Sequence, residues 1–293
     1  MVGVCLPFFS RHIPALRPDK DLFILVKAFA SGVILATGYM HVMPDSFDCL
    51  TSECLPENPW RKFPFTTFVA MLSAILTLMV DSYAMSYYRK RNLPANEPKT
   101  IDENKKNVNL ETQDIGHCHG EDLFKLDGDN ATQLLRYRVV AQVLELGIVV
   151  HSVVIGLSMG ASDNPCTIRP LVAALCFHQL FEGMGLGGCI LQAEYAIRTK
   201  AIMVLFFSAT TPLGIAMGLG LSNVYSENSP TALIVVGVLN ACSAGLLNYM
   251  ALVDLLASDF MGMKLQKSMK LQTWAYIAVL LGAGGMSLMA KWA

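Results

Sequence analysis

Charge is what this sequence has least of. Asp, Glu, Lys and Arg make up 15% of its 293 residues, where a soluble domain carries about a quarter. The 22 basic and 23 acidic side chains leave a net charge of −1, so nothing in the balance favours a nucleic-acid partner. Eight cysteines are scattered with no C-x-x-C among them, which argues against a disulfide-dense secreted scaffold. There is no H-E-x-x-H and no set of histidine-rich boxes, so the usual marks of a membrane metalloprotease or hydroxylase are missing. The apolar start "MVGVCLPFF" has no charged n-region, so it is not a signal peptide. At about half a membrane span it reads as the remnant of a helix whose beginning is missing.

What the chain has is apolar length. Hydrophobic residues make up 53% of it, and mean hydropathy is +0.45. Seven segments reach the ~20 residues needed to cross a bilayer: Leu22 to Met43, Phe63 to Tyr83, Tyr137 to Gly160, Leu171 to Leu191, Ala201 to Leu221, Thr231 to Leu256 and Trp274 to Ala290. In lipid the backbone must satisfy its own hydrogen bonds, so these are helices. Pro44 is expected to close the first and Ser229-Pro230 to start the sixth. The fold class is therefore all-α: a polytopic membrane helix bundle with seven complete transmembrane helices plus the remnant of an eighth at the N-terminus. Gly156-x-x-x-Gly160 and Gly183-x-x-x-Gly187 fit tight packing between such helices.

Basic residues divide unevenly between the two sides. Seventeen lie on one, including nine from Arg89 to Arg138, and four on the other: Arg61, Lys62, Arg169 and Lys291. The basic side is the cytosolic one. Asp45 to Trp60 and the C-terminus then face outside. There Cys49 and Cys54 are candidates for a disulfide that spacing alone cannot establish.

Residues 86–136 are the long polar stretch, rich in Asn, Asp, Glu and Lys and expected to be a cytosolic, largely disordered variable loop. It separates residues 1–85, the helix remnant and two spans, from the five-helix bundle of residues 137–293. His117 and His119 flank Cys118 within it. They form either a weak site for a divalent metal or part of a solvated linker.

The spans themselves hold few ionisable groups: His41, His151, His178, Glu145, Glu182, Lys27, and acids at or near span ends, Asp45, Asp81 and Asp254. Such groups are costly at membrane depth and usually mark pathways or partners. His178 and Glu182, four apart, share one helix face, and Gln179 flanks it. Imidazole with carboxylate suits Zn²⁺, Fe²⁺ or Mn²⁺. The preceding span, a loop of about ten residues away, is an antiparallel neighbour and offers His151 and Ser152 near its middle. Together these residues form either a transition-metal site or a hydrogen-bonded structural cluster; three such groups on adjoining spans favour the metal.

His41 and Asp45 repeat the four-residue spacing at the outer end of the first span. With Asp48, Glu53 and Glu57 they make either an acidic vestibule or ordinary solvated chemistry at a helix end. Asp81, near the cytosolic end of its span, is open to the same two readings. Lys27 lies close enough to the cytosolic end to snorkel. Glu145 falls on a different face from His151 and either serves the cytosolic exit or pairs with Arg138.

"HSVVIGLSMGA" (151–161) followed by "AALCFHQLFEGMGLGGCILQAEY" (173–195) closely resembles the ZIP (Zrt/Irt-like) metal transporters. "ASGVILATGYMHVMPDSF", "RYRVVAQVLELGIVVHSVVIGLS" and "NACSAGLLNYMALVDLLASDFMG" look like the plant root iron-transporter branch. That resemblance implies an eight-helix protein with both termini outside, and uptake of Fe²⁺, Zn²⁺ and related ions, Mn²⁺ and Cd²⁺ among them. It implies His151, His178 and Glu182 as transport-site ligands, with Ser152 and Gln179 beside them. Many relatives carry a carboxylate where this chain has Ile155, which cannot ligate, so a single metal is expected. The implied partners are the lipid bilayer, divalent ions and a second copy of the chain, with regulation through the loop lysines and a plasma-membrane location. No cofactor and no enzymatic activity are expected. The alternatives are a membrane-embedded metalloenzyme, or a truncated isoform that binds metal without transporting it.

Overall fold

The computed structural model describes residues 1–9, 20–92, 120–161, 165–221 and 229–290. Among them there is no strand, and the helices follow the apolar runs. We number them α1 (Val2–Phe9), α2 (Asp21–Leu50), α3 (Phe65–Asn92), α4 (Gly120–Ala161), α5 (Pro165–Gln192), α6 (Ile197–Leu221), α7 (Pro230–Phe260), α8 (Met263–Gln266) and α9 (Met269–Ala290). Seven are long and apolar enough to span a membrane: α2 to α7 and α9. The chain is an integral, multi-pass, all-α membrane bundle.

Helix starts and stops show the local physics. Ser229 caps α7 by accepting a hydrogen bond from the Ala232 amide at 3.2 Å, with Pro230 at the first helical position, where its missing N–H costs nothing. Pro44, by contrast, does not close α2, which runs on to Leu50. The turns before it, Thr37–Val42, are π-helical. Widening the turn accommodates the proline ring and its missing donor without ending the helix. A second π-helical stretch, Met250–Ala257, lies within α7.

The helices pack as two groups. In the first, α4 lies against α6 and α1 against α5; in the second, α2 lies against α9 and α3 against α7. Glycines set the closest approaches. A side chain at Gly156 would come within 3.1 Å of Gly214 Cα, and one at Gly218 within 2.8 Å of Gly160 Cα, so the α4 and α6 backbones touch through facing Gly-x-x-x-Gly pairs. Gly183 and Gly187 do the same for α1, both meeting Val4. The main core between the groups holds Ile34, Leu144, Ile148, Leu186, Ile190, Leu247 and Leu255. Outward, α3 and α9 present Met71, Ile75, Leu78, Leu280 and Leu281, an apolar surface suited to lipid. Trp60, Phe63, Phe65 and Phe68 stack at the outer end of α3, with ring centroids 4.7 to 5.4 Å apart, as aromatic anchors do at a membrane interface.

Several expectations need correction. Of the interval 86–136 only the ends are described, and they are helical, α3 reaching Asn92 and α4 beginning at Gly120, since extending a formed helix costs less than starting one; residues 93–119 lie outside the described residues. His117, His119 and the loop lysines Lys99, Lys105 and Lys106 lie outside the described residues. Lys27 does not snorkel. It is 6% exposed, its ammonium donating to Asp259 at 2.9 Å and to Gln192 at 3.4 Å, since a buried ammonium needs a partner more than it needs water. Arg138 is not paired with Glu145: its Nε donates to the Ala193 carbonyl at 3.1 Å, and its guanidinium lies 5.8 Å from the Tyr195 ring centre. Cys49 and Cys54 are both free thiols.

Candidate metal centre

The site forms where the two helix groups meet. From α4, His151 and Ser152 point inward, each 1% exposed; from α5, His178 and Glu182 are fully buried. Their positions follow from helical geometry: residues four apart on α5 stack on one face, and α4 runs alongside. The His151 and His178 ring centres are 5.4 Å apart. One ligand atom each from His151, His178 and Glu182 lie within 4.8 Å of one another. Ligands on a tetrahedral Zn²⁺ sit about 3.4 Å apart, so the three atoms need close by only about 1.4 Å, a side-chain adjustment.

His41 joins them from α2. Its ring centre is 6.0 Å from that of His178, and it is 5% exposed. The sequence left it either in an outer vestibule or at a solvated helix end; it is instead buried, on the π-helical turns of α2. Asp45, one turn further, is exposed, so the His41–Asp45 spacing does not copy the His178–Glu182 pair: one member faces in and the other out. Asp81 is half-buried on α3 and accepts a hydrogen bond from Tyr249 at 3.2 Å, apart from the cluster. Ile155 is buried against Met159 and Leu175. Gln179 lines a separate side cavity with Thr211 and Ser208, in keeping with its place off the His178 face.

The cluster's chemistry is set by what its donor atoms lack. Thirteen buried side-chain nitrogen and oxygen atoms have no hydrogen-bond partner among the described residues, and nine belong to His41, His151, Ser152, His178, Gln179 and Glu182. Leaving a buried polar atom unsatisfied costs about 1–3 kcal/mol, and hydrogen bonds among the described residues leave these nine atoms unsatisfied. Lone pairs converging from imidazoles and a carboxylate satisfy a divalent transition-metal cation. The letters Gly156-x-Ser158-x-Gly160 also spell a nucleophile-elbow pattern, but they lie inside the continuous helix α4 and not on the strand-to-helix turn that exposes such a serine.

Sequence reasoning missed the partners at the basic end of the bundle. Asp259 and Gln192 were not singled out, although a lysine seven residues into an apolar span implied a counter-charge nearby. Tyr195, just past α5, donates its hydroxyl to the Arg138 carbonyl at 2.8 Å. Burial pushes its phenol up to about 12, against the opposing pull of Arg138, so it stays neutral and keeps donating. With Arg138 to Ala193, this exchange fixes α4 against α5 and so fixes His151 against His178.

The comparisons with known proteins agree on one family. A family model described as ZIP Zinc transporter matches residues 1–290. The rice protein named Fe(2+) transport protein 2 (Oryza sativa subsp. japonica) is 60% identical over 313 aligned residues, covering all of this chain and 82% of the relative. Rice Fe(2+) transport protein 1 is 64% identical, over all of this chain and 80% of its own length. The Arabidopsis thaliana protein named Probable zinc transporter 10 is 59% identical, with 100% and 82% covered. No solved structure matches. The chain belongs to the ZIP zinc transporter family, a family of divalent-metal transporters and not of enzymes.

Proposed function

We propose that this chain carries Fe²⁺ and Zn²⁺ across the plasma membrane into the cytosol, binding one ion at a time between His151, His178 and Glu182. Ser152 lies beside the ion and His41 faces it from α2, while Gln179 borders the neighbouring side cavity. Mn²⁺ and Cd²⁺ travel by the same ligands, since imidazole and carboxylate bind all four and availability decides among them. The names of the relatives, iron transport proteins and a probable zinc transporter, support iron and zinc as cargo. The observation that carries the reading is the convergence of His151, His178 and Glu182, their donor atoms buried and unpartnered.

The route runs from the acidic outer mouth at Asp45, Asp48, Glu53 and Glu57, through the cluster, to the basic end. Alternating access follows from where the ligands sit: His151, His178 and Glu182 belong to one helix group and His41 to the other. Movement of one group against the other therefore exposes the ion to one side at a time. Flux requires an ion held firmly enough to enter and loosely enough to leave.

The test is radiometal uptake by cells expressing the full chain, compared with Glu182→Ala and His178→Ala at matched surface expression. Each variant is expected to lose at least about tenfold in uptake, the scale of damage to a metal site that loses a directing residue. Wild-type uptake in both removes the site assignment.

A further inference from the structure

The helix that supplies two of the ligands, α5, runs antiparallel to α2 in a matched register. His41 lies by His178, with ring centres 6.0 Å apart. Seven residues along each helix, Ile34 Cδ1 lies 3.3 Å from where a Gly185 side chain would begin. Seven further, the Lys27 ammonium lies 3.4 Å from Gln192 Oε1. Residues seven apart return to the same helix face, so three successive layers line the boundary between the two helix groups. The first is the metal cluster, the second is apolar, and the third holds a buried positive charge. Helix α7 completes the lower two: Leu255 Cδ1 stands 4.0 Å from the Gly185 position, and Asp259 holds Lys27 at 2.9 Å.

Ile34 and Leu255 are both fully buried, so water reaches neither side chain of the second layer. Below the third layer a cavity of about 560 Å³ opens at the basic end, bordered by Gln192 and Asp259 together with Ile24 and Arg136. Between the cluster and that cavity, a departing cation meets first an apolar plug and then an ammonium. Asp259 and Lys27 belong to one helix group; Gln192 alone is contributed by the ligand-bearing helix. Among the described residues, the Lys27–Gln192 contact is therefore the side-chain hydrogen bond of this layer that crosses the group boundary.

We propose that Lys27 is the latch of an inner gate: held by Asp259, its ammonium grips Gln192 and keeps α5 closed over Ile34 and Leu255. Release of Gln192 lets α5 withdraw, opens the apolar layer and moves the positive charge out of the cation's way. The gate rests on the route described above, but its test does not depend on which residues bind the cargo.

Cys189 supplies the reporter. It is free, 2% exposed and on the same α5 face, between Gly185 and Gln192, so it becomes reachable from the cytosol when the gate opens. Inside-out vesicles carrying the full chain would be treated with a charged, membrane-impermeant thiol reagent, and the modified cysteines identified by mass spectrometry. Gln192→Ala and Lys27→Met are each expected to raise Cys189 modification about tenfold, the change in open population from losing a hydrogen bond to a charged group. Lys27→Arg keeps the protection. Cys242, half-buried on α7, keeps its wild-type rate if the opening is local. Wild-type protection of Cys189 in Gln192→Ala overturns the latch, and so does a parallel rise at Cys242, which marks general loosening. If Lys27→Met fails to reach the membrane, Gln192→Ala decides, because it leaves the Lys27–Asp259 pair intact.

Discussion

At the residue scale, the cluster stands out because His41, His151, His178 and Glu182 each bury a nitrogen or oxygen with no hydrogen-bond partner among the described residues. Imidazoles that served packing alone would each have a carbonyl or hydroxyl in reach; His41, His151 and His178 leave ring nitrogens bare. His178 and Glu182 were legible in the sequence because four-residue spacing is a property of any helix. His151 was legible because a short loop makes two spans neighbours. The role of His41 was not, since its inward placement depends on a π-helical turn that no spacing rule encodes. His41→Ala is therefore expected to raise the apparent KM for Zn²⁺ uptake by about tenfold, with surface expression unchanged. Asp45→Asn, altering an exposed group, is expected to change uptake only at low ionic strength, where an exposed charge still acts over distance. Uptake titrations at two salt concentrations separate them; equal behaviour of the two variants would remove the inner position assigned to His41.

At the element scale, apolar run length gave the seven spans, since only helices and closed barrels satisfy a backbone in lipid. The ends were less legible. A proline stops a helix only when the chain cannot reorganise around it, and before Pro44 the chain does so by widening the preceding turns. Pairing between helices was partly legible: the Gly156 and Gly160 pattern foretold a close approach, but the sequence did not say that the partner glycines are Gly214 and Gly218. Substituting Gly218→Val drives a branched side chain into the backbone at Gly160. Overpacking of this kind costs about 1–3 kcal/mol, and more where only backbone stands in the way. A lower thermal midpoint of the purified protein is expected, and an unchanged one would mean that α4 and α6 do not touch there.

For the whole molecule, composition alone announced the solvent. A chain with 15% charged residues has too little polar surface for water, and the bundle accordingly turns Leu280, 70% exposed, and its neighbours outward. Leu280→Lys sets an ammonium midway along α9 and is expected to cost about 2.5–3.5 kcal/mol of insertion free energy. Less of the chain would then resist alkaline extraction from membranes, whereas full retention would place α9 away from lipid.

The matched register of α2 and α5 has a consequence for all three scales at once. His41, Ile34 and Lys27 of α2 meet His178, Gly185 and Gln192 of α5 in turn, so a shift of α5 along α2 would strain all three contacts at once. A displacement of α5 by a single turn, about 5.4 Å, disengages the three together. The layers then act as an interlock with two settings, and the free energy of each is shared by the others. An ion that binds the two settings unequally must bias the gate, and the setting of the gate must in turn bias the binding of the ion.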